Sequence, residues 1–217
     1  MVLRLHNFFR NSAGHRVRIA LHLKGLDFDY VSVDIRPSAD RQHTPAYRKV
    51  NPLGLIPALE HDGHIVTQSS AIVEYLEELY PTPTLLPKEP LARARSRAVA
   101  ATVAGEIHAL NNTRIHTFFQ AKLGLTSEAR NLWFQEWNRR GFEALETTLA
   151  ASADTAFAFA DYPTIADIFL VPQYYNLRRA KFDLAPYKRI GDIVARCEAL
   201  AAFQKAAPEA QPDYVEG

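Results

Sequence analysis

Four of the thirteen prolines crowd into ten residues, PTPTLLPKEP, at positions 81–90. Proline lacks the helix donor and biases the residue before it toward extended backbone. Neither a helix nor a central strand runs through such a stretch, so residues 82–90 are expected to be a linker. The chain on either side then folds on its own, and the two sides differ in periodicity. Residues 1–81 alternate strand and helix patterns, whereas residues 91–217 carry no clear strand. The expected fold class is α/β followed by all-α.

In the first part, Leu3 to Phe8 reads as a strand. Residues 15–24 read as a helix with Val17, Ala20 and Leu21 on one face and Gly25 as its stop. Asp27 to Ile35 alternates as a strand, and Thr44 to Val50 suits a short helix. Residues 57–61 and 64–68 read as strands joined at Asp62-Gly63, a strong hairpin signal. Ser69 or Ser70 then caps a helix that aligns Ile72, Leu76 and Leu79. In the second part, residues 90–122 and 126–152 read as long helices, the latter with Leu132, Trp137, Phe142, Leu145 and Leu149 as core candidates. Thr164 and Asp167 have the spacing of a capping box opening a third helix, and residues 189–205 form a fourth.

The 25 Lys+Arg residues nearly balance 24 Asp+Glu, leaving a net charge of +1. That balance supplies no means of neutralising many phosphates, so nucleic acid is not an expected partner. No run approaches the roughly 18 apolar residues of a membrane span. The N-terminus has no secretory pattern, so the expected location is cytoplasmic. The lone Cys197 lies among apolar helical positions and is expected to be a buried structural thiol. The histidines lack metal-ligand spacing, so no metal site is expected.

Three features carry chemistry. Asn11-Ser12-Ala13-Gly14 stands between a strand and a helix N-terminus, where backbone N–H groups and a partial positive charge favour anions, including a thiolate. Its plainer role is that Asn11 or Ser12 caps the helix. Ile56-Pro57 opens a strand, and Gln68-Ser69 precedes another helix N-terminus, a ready carboxylate site or an ordinary cap. Arg10 ends the first strand directly before the Ser12 turn, Arg114 lies on the first long helix about a turn from His108 and Asn111 or Asn112, and Arg178 and Arg179 lie in the third helix; arginine binds carboxylates through two parallel hydrogen bonds. Each also suits an ordinary surface charge. Arg93, Arg95 and Arg97 are read as a solvated face.

Several motifs together resemble the zeta class of the glutathione transferase superfamily, which includes maleylacetoacetate isomerase and the bacterial maleylpyruvate isomerases. The segment Asn11-Ser-Ala-Gly-His-Arg-Val-Arg-Ile-Ala-Leu21 is similar to the class block Ser-Ser-Cys-x-Trp-Arg-x-Arg-Ile-Ala-Leu. The likeness continues through Asn51-Pro52, Ile56-Pro57-Ala58-Leu59, Gln68-Ser69-Ser70-Ala71-Ile72, Tyr75-Leu76-Glu77 and Ile107-His108-x-x-Asn111-Asn112. It departs where Asn11 and Ala13 replace the first serine and the cysteine.

The resemblance implies a thioredoxin-like, glutathione-binding domain over 1–81, an all-helical substrate-pocket domain over 91–217 and a homodimer. It implies a cis Ile56–Pro57 bond flanked by backbone that pairs with the cysteinyl part of glutathione. Gln68 and Ser69 would hold the γ-glutamyl group, and Gln42, with His43, would reach the glycyl end. His108 and Asn112 would line the site from the helical domain. Ser12 is the expected thiolate contact, supported by Asn11. The activity implied is glutathione-dependent cis–trans isomerisation of a maleyl diacid, maleylacetoacetate or maleylpyruvate. Arg10 would hold the near carboxylate or the developing charge, and Arg114 and Arg179 the far carboxylate. His15, in place of the block's Trp, leans toward the maleylpyruvate enzymes. The alternatives are a general glutathione transferase that conjugates or dehalogenates small electrophiles, with Phe118 and Phe119 lining its pocket, and a non-enzymatic member of the fold.

Overall fold

A computed structural model describes residues 2–150 and 154–216. The chain divides into two compact units, Met1–Leu85 with Glu198–Gly217, and Leu86–Cys197. The first is α/β and thioredoxin-like; the second is helical.

The first unit is built on a four-stranded sheet of order β2-β1-β3-β4. Strand β1 (Leu3–Asn7) pairs in parallel with β2 (Asp29–Ser32) and antiparallel with β3 (Ala58–His61), which pairs antiparallel with β4 (His64–Thr67). The β3–β4 turn is the one expected: Asp62 and Gly63 both have positive φ, 48° and 84°, as a type I′ hairpin turn requires. The strand expected over 27–35 is shorter and ends at Ser32; beyond it Asp34 accepts hydrogen bonds from the Arg36 backbone and guanidinium.

Helix α1 (Ser12–Leu23) buries every residue from Ser12 to Leu21, not only the face of Val17, Ala20 and Leu21. That includes Arg16 and Arg18, at 1% and 0% exposure. Arg18 satisfies its charge by donating to the Ala206 carbonyl at 2.9 Å and the Phe9 carbonyl at 3.1 Å. Helix α2 (Pro45–Val50) opens with Thr44 accepting from the Tyr47 N–H. Helix α3 (Ser69–Leu79) packs on α1. At their C-terminal ends the buried Lys24 donates to Glu77, to the Tyr80 carbonyl and, at 2.7 Å, to the Pro83 carbonyl. Glu77 also accepts from Thr84 Oγ1 and the Leu85 N–H. This buried pair, with its remaining valences filled, ties the proline-rich segment to the sheet domain.

In the second unit the single helix expected over 90–122 is interrupted. Helix α4 (Pro90–Ala101) passes into a π-helical stretch over Thr102–His108, and α5 (Thr113–Leu123) starts afresh. Two asparagines explain the break by bonding to local backbone in place of the helix ladder. Asn111 Nδ2 donates to the Ile107 carbonyl at 2.9 Å, and Asn112 caps α5 by accepting from the Arg114 N–H at 3.1 Å. Helix α6 (Ser127–Ala150) buries Phe142, Leu145 and Leu149, whereas Leu132 is 66% exposed and not in the core. Residues 151 and 152, expected to end this helix, lie outside the described residues.

Helix α7 (Ile165–Arg179) begins at the expected capping box. Asp167 accepts from the Thr164 N–H at 2.7 Å, from Thr164 Oγ1 at 2.9 Å and from the Ala158 N–H at 2.9 Å. The helix expected over 189–205 is two: α8 (Lys188–Glu198), with Cys197 buried as expected, and α9 (Ala201–Ala206), which starts at an extended Leu200 and docks on α1. Among the described residues no helix is long and apolar enough to cross a membrane.

Burial raises the Asp167 carboxyl from 3.8 to about 6 despite the donors around it. A raised native pKa favours folding below the unfolded value, and that contribution is lost as pH climbs through the native one. Relative to Asp167→Asn, the wild type should therefore gain on the order of 2 kcal/mol of stability between pH 7 and pH 4. Urea unfolding of both proteins across that range measures it.

Candidate functional site

The strand register gathers the expected residues of the first unit at one end of the sheet. His6 pairs with Ala58, so the Phe8–Asn11 turn after β1 lies beside Ile56–Pro57 before β3. Ala58 in turn pairs with Thr67, which brings Gln68 and Ser69 to the same end. A cluster of Phe8, Phe9, Val33, Tyr47 and Ile56 packs beneath them.

Asn11 caps α1, its Oδ1 accepting from the Gly14 N–H at 2.5 Å. This leaves Nδ2 as a donor with no partner among the described residues. Ser12 is the first residue of the helix and is 6% exposed, so Asn11, half-buried, is the more accessible side chain. Gly14 is required by close approach: a Cβ there would sit 1.7 Å from the Oδ1 of Asn7, which is fully buried. Arg10 is exposed, with its guanidinium 5.7 Å from the centre of the Phe9 ring. His15 is fully buried, and burial together with Arg18 and Arg16 holds its pKa well below the usual imidazole range. It is a neutral core residue.

The Ile56–Pro57 bond is cis. Two side chains fix the loop before it: Tyr47 Oη donates to the Leu55 carbonyl at 2.8 Å and Asn51 Nδ2 to the same oxygen at 2.7 Å. The Ile56 backbone N–H and carbonyl make no hydrogen bond to the described residues. Gln42 lies in a short 3₁₀ turn, Arg41–His43; its Nε2 donates to Asp40 at 2.8 Å and its buried Oε1 has no partner among the described residues. His43 shares the Asp40 carboxylate at 2.7 Å.

Gln68, not Ser69 or Ser70, is the N-cap of α3, and its side chain makes no capping bond. Its φ of 69° is a left-handed value that side chains rarely adopt, costing about 1–3 kcal/mol. Ser69 lies inside the first turn, where its Oγ accepts from Arg16 Nη1 at 3.2 Å.

In the second unit the structure brings three expected residues together. Asn112 Nδ2 lies 3.5 Å from His108 Nε2, and Asn112 Oδ1 accepts from the Arg114 backbone. The π-helical stretch ends at His108, and such turns are frequent at functional sites. The Arg114 and Arg179 side chains are exposed and have no acid partner among the described residues, in contrast to Arg36, Arg139 and Arg140. Arg178 lies over the Tyr175 ring at 5.7 Å. Phe119 packs edge-on against Trp133, and Phe118 is 52% exposed.

Sequence reasoning missed Arg16, Tyr47 and the role of Asn51. Arg16 and Asn51 stand inside matched motifs, but a charged or polar residue there carries no local sign that it is buried.

The family model described as "Glutathione S-transferase, N-terminal domain" matches residues 12–79. A maleylpyruvate isomerase from Ralstonia sp is 42% identical over 97% of this chain and 99% of its own. A solved holo structure of maleyl pyruvate isomerase, described as a bacterial glutathione-S-transferase of the zeta class, has a TM-score of 0.93 at 42% identity, covering 98% of this chain and 100% of that one. A maleylacetoacetate isomerase from Anaeromyxobacter dehalogenans 2CP-1, solved with dicarboxyethyl glutathione and citrate in its active site, has a TM-score of 0.85 at 39% identity, covering 98% and 97%.

The strain at Gln68 gives a direct test. Gln68→Gly should raise stability by about 1 kcal/mol, because glycine adopts positive φ freely, while Gln68→Ala should not. Denaturant midpoints of the two variants decide it.

Proposed function

The chain belongs to the zeta class of the glutathione S-transferases, and from that premise we propose a glutathione-dependent cis–trans isomerase that converts a maleyl diacid, maleylpyruvate or maleylacetoacetate, to its fumaryl isomer. The observation that carries the residue assignment is the gathering of two helix N-termini and an open backbone edge at one end of the sheet. A tripeptide thiol fits these groups. Ile56 offers an unpaired N–H and carbonyl to an extended peptide, and Ser69 and the first N–H groups of α3 offer donors to a carboxylate. The orphaned Gln42 Oε1 offers an acceptor to a backbone N–H.

Glutathione supplies a thiol that adds to the cis double bond and leaves again once the resulting single bond has turned, so it returns unchanged. The protein's part is electrostatic and positional. The N-terminus of α1 lowers the cost of a negative sulfur through its unpaired N–H groups. Asn11 Nδ2 adds a side-chain donor, with the Ser12 hydroxyl as a second donor beside it. Arg10 faces the charge that develops on the substrate's carbonyl oxygen or holds the near carboxylate. Arg114 and Arg179 are assigned to the far carboxylate, and His108 and Asn112 to glutathione. A homodimer working in a reducing cytoplasm completes the proposal; reduced glutathione requires such a compartment.

The assay supplies glutathione and either diacid, and follows the fumaryl product. Fumaryl product with glutathione unconsumed supports the isomerase and ranks the substrates; a stable adduct points to a conjugating transferase. Asn11→Asp separates the two duties of Asn11. Aspartate caps a helix as well as asparagine, so stability should hold within about 0.5 kcal/mol. A carboxylate in place of the Nδ2 donor should cut kcat/KM at neutral pH by about tenfold or more and move the rate profile to higher pH. Unchanged kcat/KM and profile would remove Asn11 from the site.

A further inference from the structure

Arg16 lies in the second turn of α1 with its guanidinium shut away from water. Burial lowers its pKa only to about 9, so it stays charged at neutral pH. Its Nη1 reaches across to α3 and donates to Ser69 Oγ at 3.2 Å. A serine hydroxyl has one proton and two acceptor positions. With a cation donating into the oxygen, the proton is directed elsewhere, and among the described residues it has no acceptor. Hydrogen bonding to a charged donor also polarises the O–H and makes it a stronger donor in its turn. Beside it stand the unpaired N–H groups of the first turn of α3, all donors as well. A place that presents only donors and sits against a buried cation suits a carboxylate.

We propose that Arg16 is a positioning residue that fixes Ser69 as a hydrogen-bond donor to a ligand carboxylate. The inference rests on the reading given above, in which Ser69 holds the γ-glutamyl end of glutathione, and it names the carboxylate of that group as the acceptor. Arg16 acts through Ser69 and need not touch the ligand. The planar guanidinium matters as well as its charge, since a lysine ammonium presents its donors from a flexible stem.

Titration calorimetry with two ligands tests this. One is glutathione; the other is 4-aminobutyryl-cysteinyl-glycine, which is glutathione without the γ-glutamyl carboxylate. Arg16→Met should weaken glutathione by about tenfold and the analogue by less than about twofold, the loss of one charge-assisted hydrogen bond. Arg16→Lys should fall between wild type and Arg16→Met, and it carries the same two-ligand comparison if the methionine variant does not fold. In a Ser69→Ala background, Arg16→Met should add no further loss. Equal weakening of both ligands by the Arg16 variants, or independent losses in the double variant, would overturn the proposal. If Ser69→Ala alone leaves the preference for glutathione over the analogue intact, the assignment of Ser69 is wrong and the proposal falls with it.

Discussion

The pairing of β3 with β1 on one side and β4 on the other places three chain reversals at a single end of the sheet. Slipping either pairing by one residue would turn every side chain of the moved strand to the opposite face. Leu5 and Leu59, paired across β1 and β3 and both fully buried, hold that register. From it follow the neighbourhood of Asn11, Ile56 and Gln68, and with it the donors that a tripeptide thiol needs. The sheet thus sets where the loops stand.

Helix α1 is the second determinant, because its buried run from Ser12 to Leu21 includes two arginines and a histidine. Such a helix is stable only if each polar group has a definite use. Arg18 ties α9 and the end of β1 together through two carbonyls, and Arg16 binds the start of α3. His15 stays neutral. The helix that presents its N-terminus to the site is thus held to α3 and α9 by buried hydrogen bonds, so its dipole is aimed by a rigid element. Electrostatic stabilisation of a thiolate depends on that rigidity, since donors that must reorganise contribute less.

Features with local causes were legible in the sequence. The Asp62-Gly63 turn, the Thr164–Asp167 cap and the strandless second half follow from neighbours in the chain, and the described residues have the turn, the cap and no strand after β4. The cis bond before Pro57 followed only from the resemblance to a family, since periodicity says nothing about a peptide isomer. Features with distant causes were not legible. Nothing in the local sequence marks Arg16 as buried, because its partner lies 53 residues away. The break at Asn111–Asn112 was hidden because the apolar spacing continues through it, while the asparagine side chains turn to local backbone. Ser69 or Ser70 is the expected cap of α3, whereas Gln68, in left-handed backbone, holds the cap position.

The central claim is that the α1 N-terminus, with Asn11, stabilises a thiolate. Its most direct test is the ionisation of glutathione bound to the wild-type protein, followed by ultraviolet thiolate absorbance against pH. The account predicts an apparent thiol pKa at least about one unit below the ordinary value near 8.5. A bound thiol that titrates like the free one would contradict it.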